Sequence, residues 1–400
     1  MHLLISVEPV CKKIFYGTGS SVFKIQKGMG IYMNFRCDKQ MLIDAVGNVQ
    51  RAVASKSSLP ALEGILLKAY GSSLFIAGYD MDLGITTTIE ADIKEPGEIV
   101  LTAKLFGEIV RKLPSDEVQI MCNDKWNTVI KSGQSEFSIM GISAAEFPEI
   151  PSVDDGVSIM LPQNTLRSMI RQTLFAVSQN DARPVHTGTL FEVEPDILRL
   201  VSVDGSRLAM RCEKIQGNET IQFVVPGKTL NEVLKLLDDD DDSTISVSVG
   251  RRHIVLEISG YAVISRLLDG EFLAYRKAIP QEVTTTIRVN TRLLNDAVER
   301  ASLVINDRVK SPLICEFGDQ SIRISCSTPL GSANDEIPAM ITGKDEQMGF
   351  NSRYFLDALK NSETDEVKIE LNGPLSPMRI LPVEGDSFLF LVLPVRLKNV

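Results

Sequence analysis

The sequence predicts an α+β protein of three repeated domains, each with two helices packed on antiparallel sheet. Three observations predict it. SLFIAGYD (Ser73 to Asp80), ILRLVSVD (Ile197 to Asp204) and SIRISCST (Ser321 to Thr328) each alternate apolar and other residues and then turn, so that Asp80, Asp204 and Thr328 recur at offsets of 124. Alternation of period two marks a half-buried strand, and the polar or Gly-rich residues after it mark a turn. Pro60, Pro184 and Pro312 each precede a strand, in LPALEGILL, RPVHTGTLF and SPLICEF, at offsets of 124 and 128. Helical spacing recurs with the same period.

In order along the chain, QMLIDAVGNVQRAV, TLRSMIRQTLFAV and RLLNDAVERASLVI open the units, with apolar residues three and four apart. A second helix follows each turn strand, in TAKLFGEIVRKL, GKTLNEVLKLL and SRYFLDALKN, where Lys104, Lys228 and Arg353 share one slot. The units are assigned to residues 33–158, 159–284 and 285–400. Residues 1–32 have no counterpart in the other units and read as an upstream start or a disordered extension.

Four hundred residues suit two or three domains better than one core. With 44% hydrophobic and 24% charged residues, the composition is that of an ordinary globular protein. No apolar run approaches the roughly 20 residues a bilayer span needs, so no membrane role and a cytoplasmic location are expected. The six cysteines are scattered without a CxxC pair and read as reduced, buried thiols; no metal or cofactor is expected. A formal charge of −10 argues at first against nucleic acid. The six predicted helices, however, carry a net +7 and the rest of the chain −17, which leaves a basic footprint for a polyanion inside an acidic protein.

Enzyme signals are weak. PGKTL, Pro226 to Leu230, follows a strand and opens a helix, but the Gly that a phosphate-wrapping loop needs five residues before its final Gly is Gln222 here. Ser206 follows an Asp-Gly turn, no GxSxG elbow surrounds it, and the only bases on offer are His2, His186 and His253. The run Asp238 to Asp242 lacks the alternating spacing of a calcium loop and reads as a solvated loop.

VDGSRLAM (Val203 to Met210) and the C-terminal LVLPVRL resemble the bacterial sliding clamp family, the beta subunit of DNA polymerase III. The resemblance covers residues 33–400 and takes in LPALEGILL, EFSIMGISAAEFP, LFEVE, DGEFLAYRKAIP and GFNSRYFLDAL in family order. It implies a DNA clamp fold closed as a head-to-tail homodimeric ring around duplex DNA, held without regard to sequence. The implied function is non-catalytic: processivity for the replicative polymerase, at the nucleoid, with polymerase, clamp loader and repair proteins docking through short peptides. A monomeric peptide-binding adaptor, or an enzyme using Ser206 or the Gly227-Lys228 turn, would be the alternatives.

Carried over residue by residue, the resemblance implies a peptide pocket of His186, Val203, Gly205, Ser206, Arg207, Leu208, Leu273, Lys277, Ala278, Asn351 and Tyr354. Leu391, Val392, Leu393, Pro394, Val395, Arg396 and Leu397 complete it, with Arg207 and Leu208 expected as anchor contacts. Ser206, Val203 and Leu273 stand where the family has His, Thr and often Pro, and Lys398 to Val400 extend the usual end. Lys56, Lys104 and Arg183 match basic positions near the hole, where Pro184 and Val185 replace aromatic residues of some members. Phe137 and Ile139 are the implied partners of Leu303 and Val304 across the subunit interface.

Overall fold

Each unit opens with a short strand that runs directly into a helix. Met33–Asp38 ends on Asp38, whose carboxylate accepts from the Met41 amide at 2.9 Å and so caps α1, Lys39–Val49. Thr285–Asn290 ends on Asn290, which caps α5, Thr291–Ser302, in the same way, at 3.0 Å to the Leu293 amide. Between them lies α3, Gln163–Leu174, and the second helices of the three units are α2, Ala103–Lys112, α4, Gly227–Leu234, and α6, Ser352–Lys360. This computed structural model describes residues 32–153, 156–180, 182–217, 219–240, 242–305 and 311–397. Residues 1–31 and Lys398 to Val400 lie outside the described residues.

All six predicted helices are present, and several end earlier than their apolar pattern. The pattern QMLIDAVGNVQRAV continues past Val49 because Gln50–Ala52 tightens into a 3-10 turn in which Ala52 is still buried. Likewise Ala176 and Val177 are buried beyond the end of α3. Burial persists after the helical hydrogen bonding has stopped, so periodicity alone overruns the boundary.

Every strand pairing is antiparallel, as expected, but the sheets do not stop at the units. Leu83–Glu90 of the first unit pairs with Tyr261–Arg266, the last strand of the second, setting Val263 opposite Ile85. Arg207–Lys214 of the second pairs with Phe388–Val392, the last strand of the third, setting Leu208 opposite Leu391. The result is an eight-stranded and a nine-stranded sheet, each shared by two units, flanked by sheets of five and four strands. One edge of the five-stranded sheet is Ser135–Met140, and one edge of the four-stranded sheet is Gly331–Pro338.

The helices bury their apolar stripes on these sheets. Phe35, Phe106, Leu166 and Leu230 belong to one core that spans the first two units, and Phe317, Phe350, Phe355 and Phe390 to the core of the third. The five described cysteines are free, four of them buried, and burial first, then Asp38 and Glu117, pushes the Cys37 thiol up to about 12. Asp238 to Asp240 are exposed and outside any helix or strand, with Asp239 held by Arg167 at 2.8 Å.

Candidate functional site

The turn joining Ile197–Val203 to Arg207–Lys214 is built by one carboxylate. Asp204 Oδ1 accepts from the amides of Ser206 at 2.9 Å and Arg207 at 3.1 Å, the short-range bonding that makes aspartate a turn former. Gly205 sits at φ +89°, a conformation that glycine adopts without a Cβ penalty. Among the described residues no hydrogen bond joins Ser206 to a histidine. His186 is instead buried, edge-to-face on Phe272 with centroids 5.5 Å apart, and burial, then Arg183, lowers its pKa from the ordinary 6.5. With no hydrogen bond to Ser206, this imidazole is not placed to act as its base.

The Gly227-Lys228 turn has an equally local explanation. A Cβ on Gly227 would lie 3.1 Å from the Thr187 carbonyl oxygen, so the glycine permits α4 to start against that backbone. Lys228 reaches Asp80 of the first unit. Among the described residues no cluster of His, Cys, Asp and Glu could hold a metal ion.

What the turn does present is an apolar row. Val203 pairs with Leu208, and Leu208 with Leu391, so the three side chains line up across strands from two units on one face of the sheet. Leu208 and Leu391 join Val185, Leu190, Val201, Val224, Tyr275, Leu381 and Leu389 in a separate apolar cluster, with Met210, Leu268, Phe272 and Ile279 at its margin. Val392, one residue on, points to the opposite face and belongs to the core of the third unit. Strand alternation places neighbouring residues on opposite faces, and Arg207, paired with Val392, shares its face.

Beyond Val392 the chain leaves the sheet but stays tied to it. The Leu393 amide donates to the Ser206 carbonyl at 2.9 Å, and the Val395 amide to the Gly349 carbonyl at 2.8 Å. Leu397 covers Gly349 so closely that a Cβ there would meet its Cδ2 at 2.7 Å. Leu393 and Val395 are left 40% and 41% exposed, and Leu273 39%, so that three aliphatic side chains are open to solvent here. Pro394 and Arg396 lie along the same segment, half-buried and exposed.

A second wall comes from residues 267–279. Leu273, Lys277 and Ala278 are exposed on or beside the 3-10 turn Tyr275–Ala278. That turn is pinned from below: Tyr275 Oη donates to buried Glu192 at 2.6 Å, and Arg276 donates to Glu192 at 2.8 Å and to Glu194 at 3.1 Å. Burial, then the Glu192 bond, raises the Tyr275 phenol above its ordinary 10.0, and the bonds from Arg199 lead the effects that lower Glu194. Leu273 and Lys277 border a cavity of about 530 Å³, whereas Asn351, Tyr354 and Val395 border another of about 560 Å³ in the third unit.

Sequence reasoning missed the supports of the site. Glu192 could have been found, because LFEVE places a glutamate in a strand whose neighbours are all buried. Asp357 could also have been noticed three residues after Tyr354 on α6, hence on the same helix face. Phe272 had no such signal.

Lys56, Lys104 and Arg183 are all exposed, on separate elements: the segment after α1, the second position of α2, and the residue before the turn Pro184–Thr187. Val185 is buried in the apolar cluster and faces away from solvent. Leu303, just after α5, is 83% exposed, and Phe137, on the edge strand Ser135–Met140, is 37% exposed. Ile139 and Val304 are half-buried against the cores of their own units.

Three α+β units joined strand edge to strand edge, each with two helices on its sheets, define the DNA clamp class of fold. Family models for the DNA polymerase III beta subunit match in sequence order: the N-terminal domain at residues 33–151, the central domain at 160–273 and the C-terminal domain at 276–396. The chain belongs to the DNA polymerase III beta subunit family. The beta sliding clamp of Bacillus subtilis (strain 168) is 34% identical over 377 residues, 91% of this chain and 100% of the relative. A solved putative DNA polymerase III beta subunit from Eubacterium rectale superposes with TM-score 0.88 at 37% identity, over 91% of this chain and 99% of that one. A sliding clamp from Pseudomonas aeruginosa, solved bound to griselimycin, gives 0.86 at 27% identity, over 91% and 100%.

Proposed function

We propose that this protein is a DNA sliding clamp: a homodimeric ring that encloses duplex DNA in the bacterial cytoplasm, tethers the replicative polymerase and docks partner peptides at the Leu208–Leu391 cleft. Its work is topological and needs no catalysis. One observation carries the ring. At both junctions inside the chain, the strand after a unit's turn pairs with the last strand of the next unit. Gly331–Pro338 holds the first of these roles in the third unit and Ser135–Met140 the second in the first unit, and both are sheet edges. Repeating the same contact between two copies pairs both edges and closes six units into a ring, whereas an unclosed head-to-tail contact would grow a filament.

The flanking side chains fit that closure. Leu303 and Val304 lie beside the start of the Gly331–Pro338 edge, with the Val304 carbonyl accepting from Thr328 Oγ1 at 3.0 Å, and Phe137 projects from the other edge. Lys56, Lys104 and Arg183 supply exposed cations for phosphate, giving sequence-independent binding that weakens with salt. Polymerase, clamp loader and repair proteins would place aliphatic or aromatic anchors in the cleft between the turn, the 267–279 wall and the C-terminal segment.

Native mass spectrometry with and without circular DNA tests the ring. A species of twice the 44.1 kDa chain mass is expected, with Leu303→Glu plus Val304→Glu giving folded monomers. Ring loaded on a circle should be lost when the circle is linearised. A wild-type monomer at micromolar concentration would leave the adaptor reading in its place.

A further inference from the structure

We infer that Asp357 is a positioning residue for the peptide cleft, and that Arg207 acts there as a strut between the second and third units and makes no anchor contact with the peptide. The inference rests on the cleft proposed above. Arg207 is the residue that the sequence points to most directly, yet its side chain is only 10% exposed and both hydrogen bonds it makes go to carboxylates of this chain. Its Nε donates to Asp204 Oδ2 at 2.9 Å and its Nη1 to Asp357 Oδ2 on α6. Its guanidinium carbon lies 4.5 Å from the Tyr354 ring centroid and 5.5 Å from that of Phe175. Two of its N–H donors are held by carboxylates and two rings lie within cation–π distance, so a ligand would meet only the small exposed remainder of the group.

The placement of this node gives it a role. Asp204 and Phe175 belong to the second unit, whereas Tyr354 and Asp357, three residues apart on one face of α6, belong to the third. Arg207 stands opposite Val392 in the sheet, and its neighbour Ser206 receives the Leu393 amide where the C-terminal segment turns outward. The strut therefore fixes three parts of the cleft relative to one another: the turn, the Tyr354 face of α6, and the exit of the Leu393–Val395 rim. Asp357 is 31% exposed and acts on the cleft only through Arg207. Without it, a largely buried guanidinium loses one of its two counter-charges, and the clamp on Tyr354 relaxes.

Calorimetric titration of the full-length protein with griselimycin tests this, since a related clamp has been solved with that compound. Asp357→Asn should weaken binding about tenfold, a loss of the size found when one partner of a buried charge pair is removed. Asp357→Glu should recover most of the affinity. Adding Asp357→Asn to Arg207→Ala should cost nothing further, because both changes break one strut. Wild-type affinity in a folded Asp357→Asn protein would overturn the inference, and so would additive losses in the double variant, which would mean that Arg207 meets the ligand itself. Should Asp357→Asn fail to fold, the comparison of Arg207→Lys with Arg207→Ala decides: equal losses support the strut, because an ammonium lacks the planar fork that spans the two carboxylates while stacking on the rings, and full affinity in Arg207→Lys overturns it. Deleting residues 393–400 is the separate control. Undiminished binding there would place griselimycin elsewhere and remove the cleft reading together with the inference built on it.

Discussion

Lys228 Nζ lies 2.5 Å from Asp80 Oδ2, so the first turn of α4 in the second unit is tied to the turn that ends Ser73–Tyr79 in the first. The lysine of the weak phosphate-loop signal is thus an inter-unit contact. Its side chain is 63% exposed, and solvent-exposed pairs are worth little. Lys228→Ala should lower unfolding stability by less than about 1 kcal/mol in a urea titration. Neither form should bind ATP in calorimetry; ATP affinity that vanished in the variant would revive the nucleotide reading.

The same slots predict the behaviour of the subunit boundary. Asp80 faces Lys228, and the Asp204 turn reaches α6 through Arg207, but the third slot holds Thr328 and no carboxylate. If the ring closes by repeating the intrachain contact, Thr328 meets Lys104 of the other copy with no ion pair. Thr328→Asp should install one and slow subunit exchange between fluorescently labelled dimers by about two- to fivefold, with the effect fading in high salt. An unchanged exchange rate would show that the subunit boundary does not reuse the repeat.

Much of this architecture was legible because period-two alternation, recurring prolines and helical spacing are local signals repeated three times. Asp80, Asp204 and Thr328 all fall at the end of the strand assigned to them. The site was legible only in outline. The turn chemistry of Asp204-Gly205 and the exposed C-terminal segment are local, but a contiguous motif conceals which face each residue takes, as with Val392, which packs into the core of the third unit. The supports Glu192 and Asp357 act through bonds to residues 83 and 150 positions away, which spacing along the chain does not reveal.

Two residues expected in the pocket also carry the fold, Leu208 by burial and Gly205 by its backbone conformation. Leu208 is 3% exposed at the joint between two units, so Leu208→Ala should lower unfolding stability by about 2–5 kcal/mol, whatever it does to peptides. Gly205→Ala meets open space but must hold φ +89°, and should cost about 1–3 kcal/mol. Differential scanning calorimetry of both variants checks the pair. A Leu208→Ala protein as stable as wild type would mean that the side chain is a surface anchor after all.

His186 makes the joint sensitive to acid. Burial is the larger cause of its lowered pKa and the charge of Arg183 the smaller, so the folded protein resists the proton that the unfolded chain accepts at about 6.5. Below that value the unfolded state binds more protons than the native state, and stability must fall as pH falls towards the folded pKa; above it the effect is absent. His253 is lowered too, by burial and then by Arg266 and Arg252, and adds to the trend with the same sign. Comparison with His186→Gln isolates the first contribution: the variant loses the Phe272 ring contact at every pH, but its stability should decline less than that of wild type between pH 7.5 and 5.5. Urea titrations at the two pH values measure the difference, and NMR titration of the imidazole locates its source. A midpoint for His186 above 6.5 would show that a carboxylate, and not the apolar cluster, governs the ring.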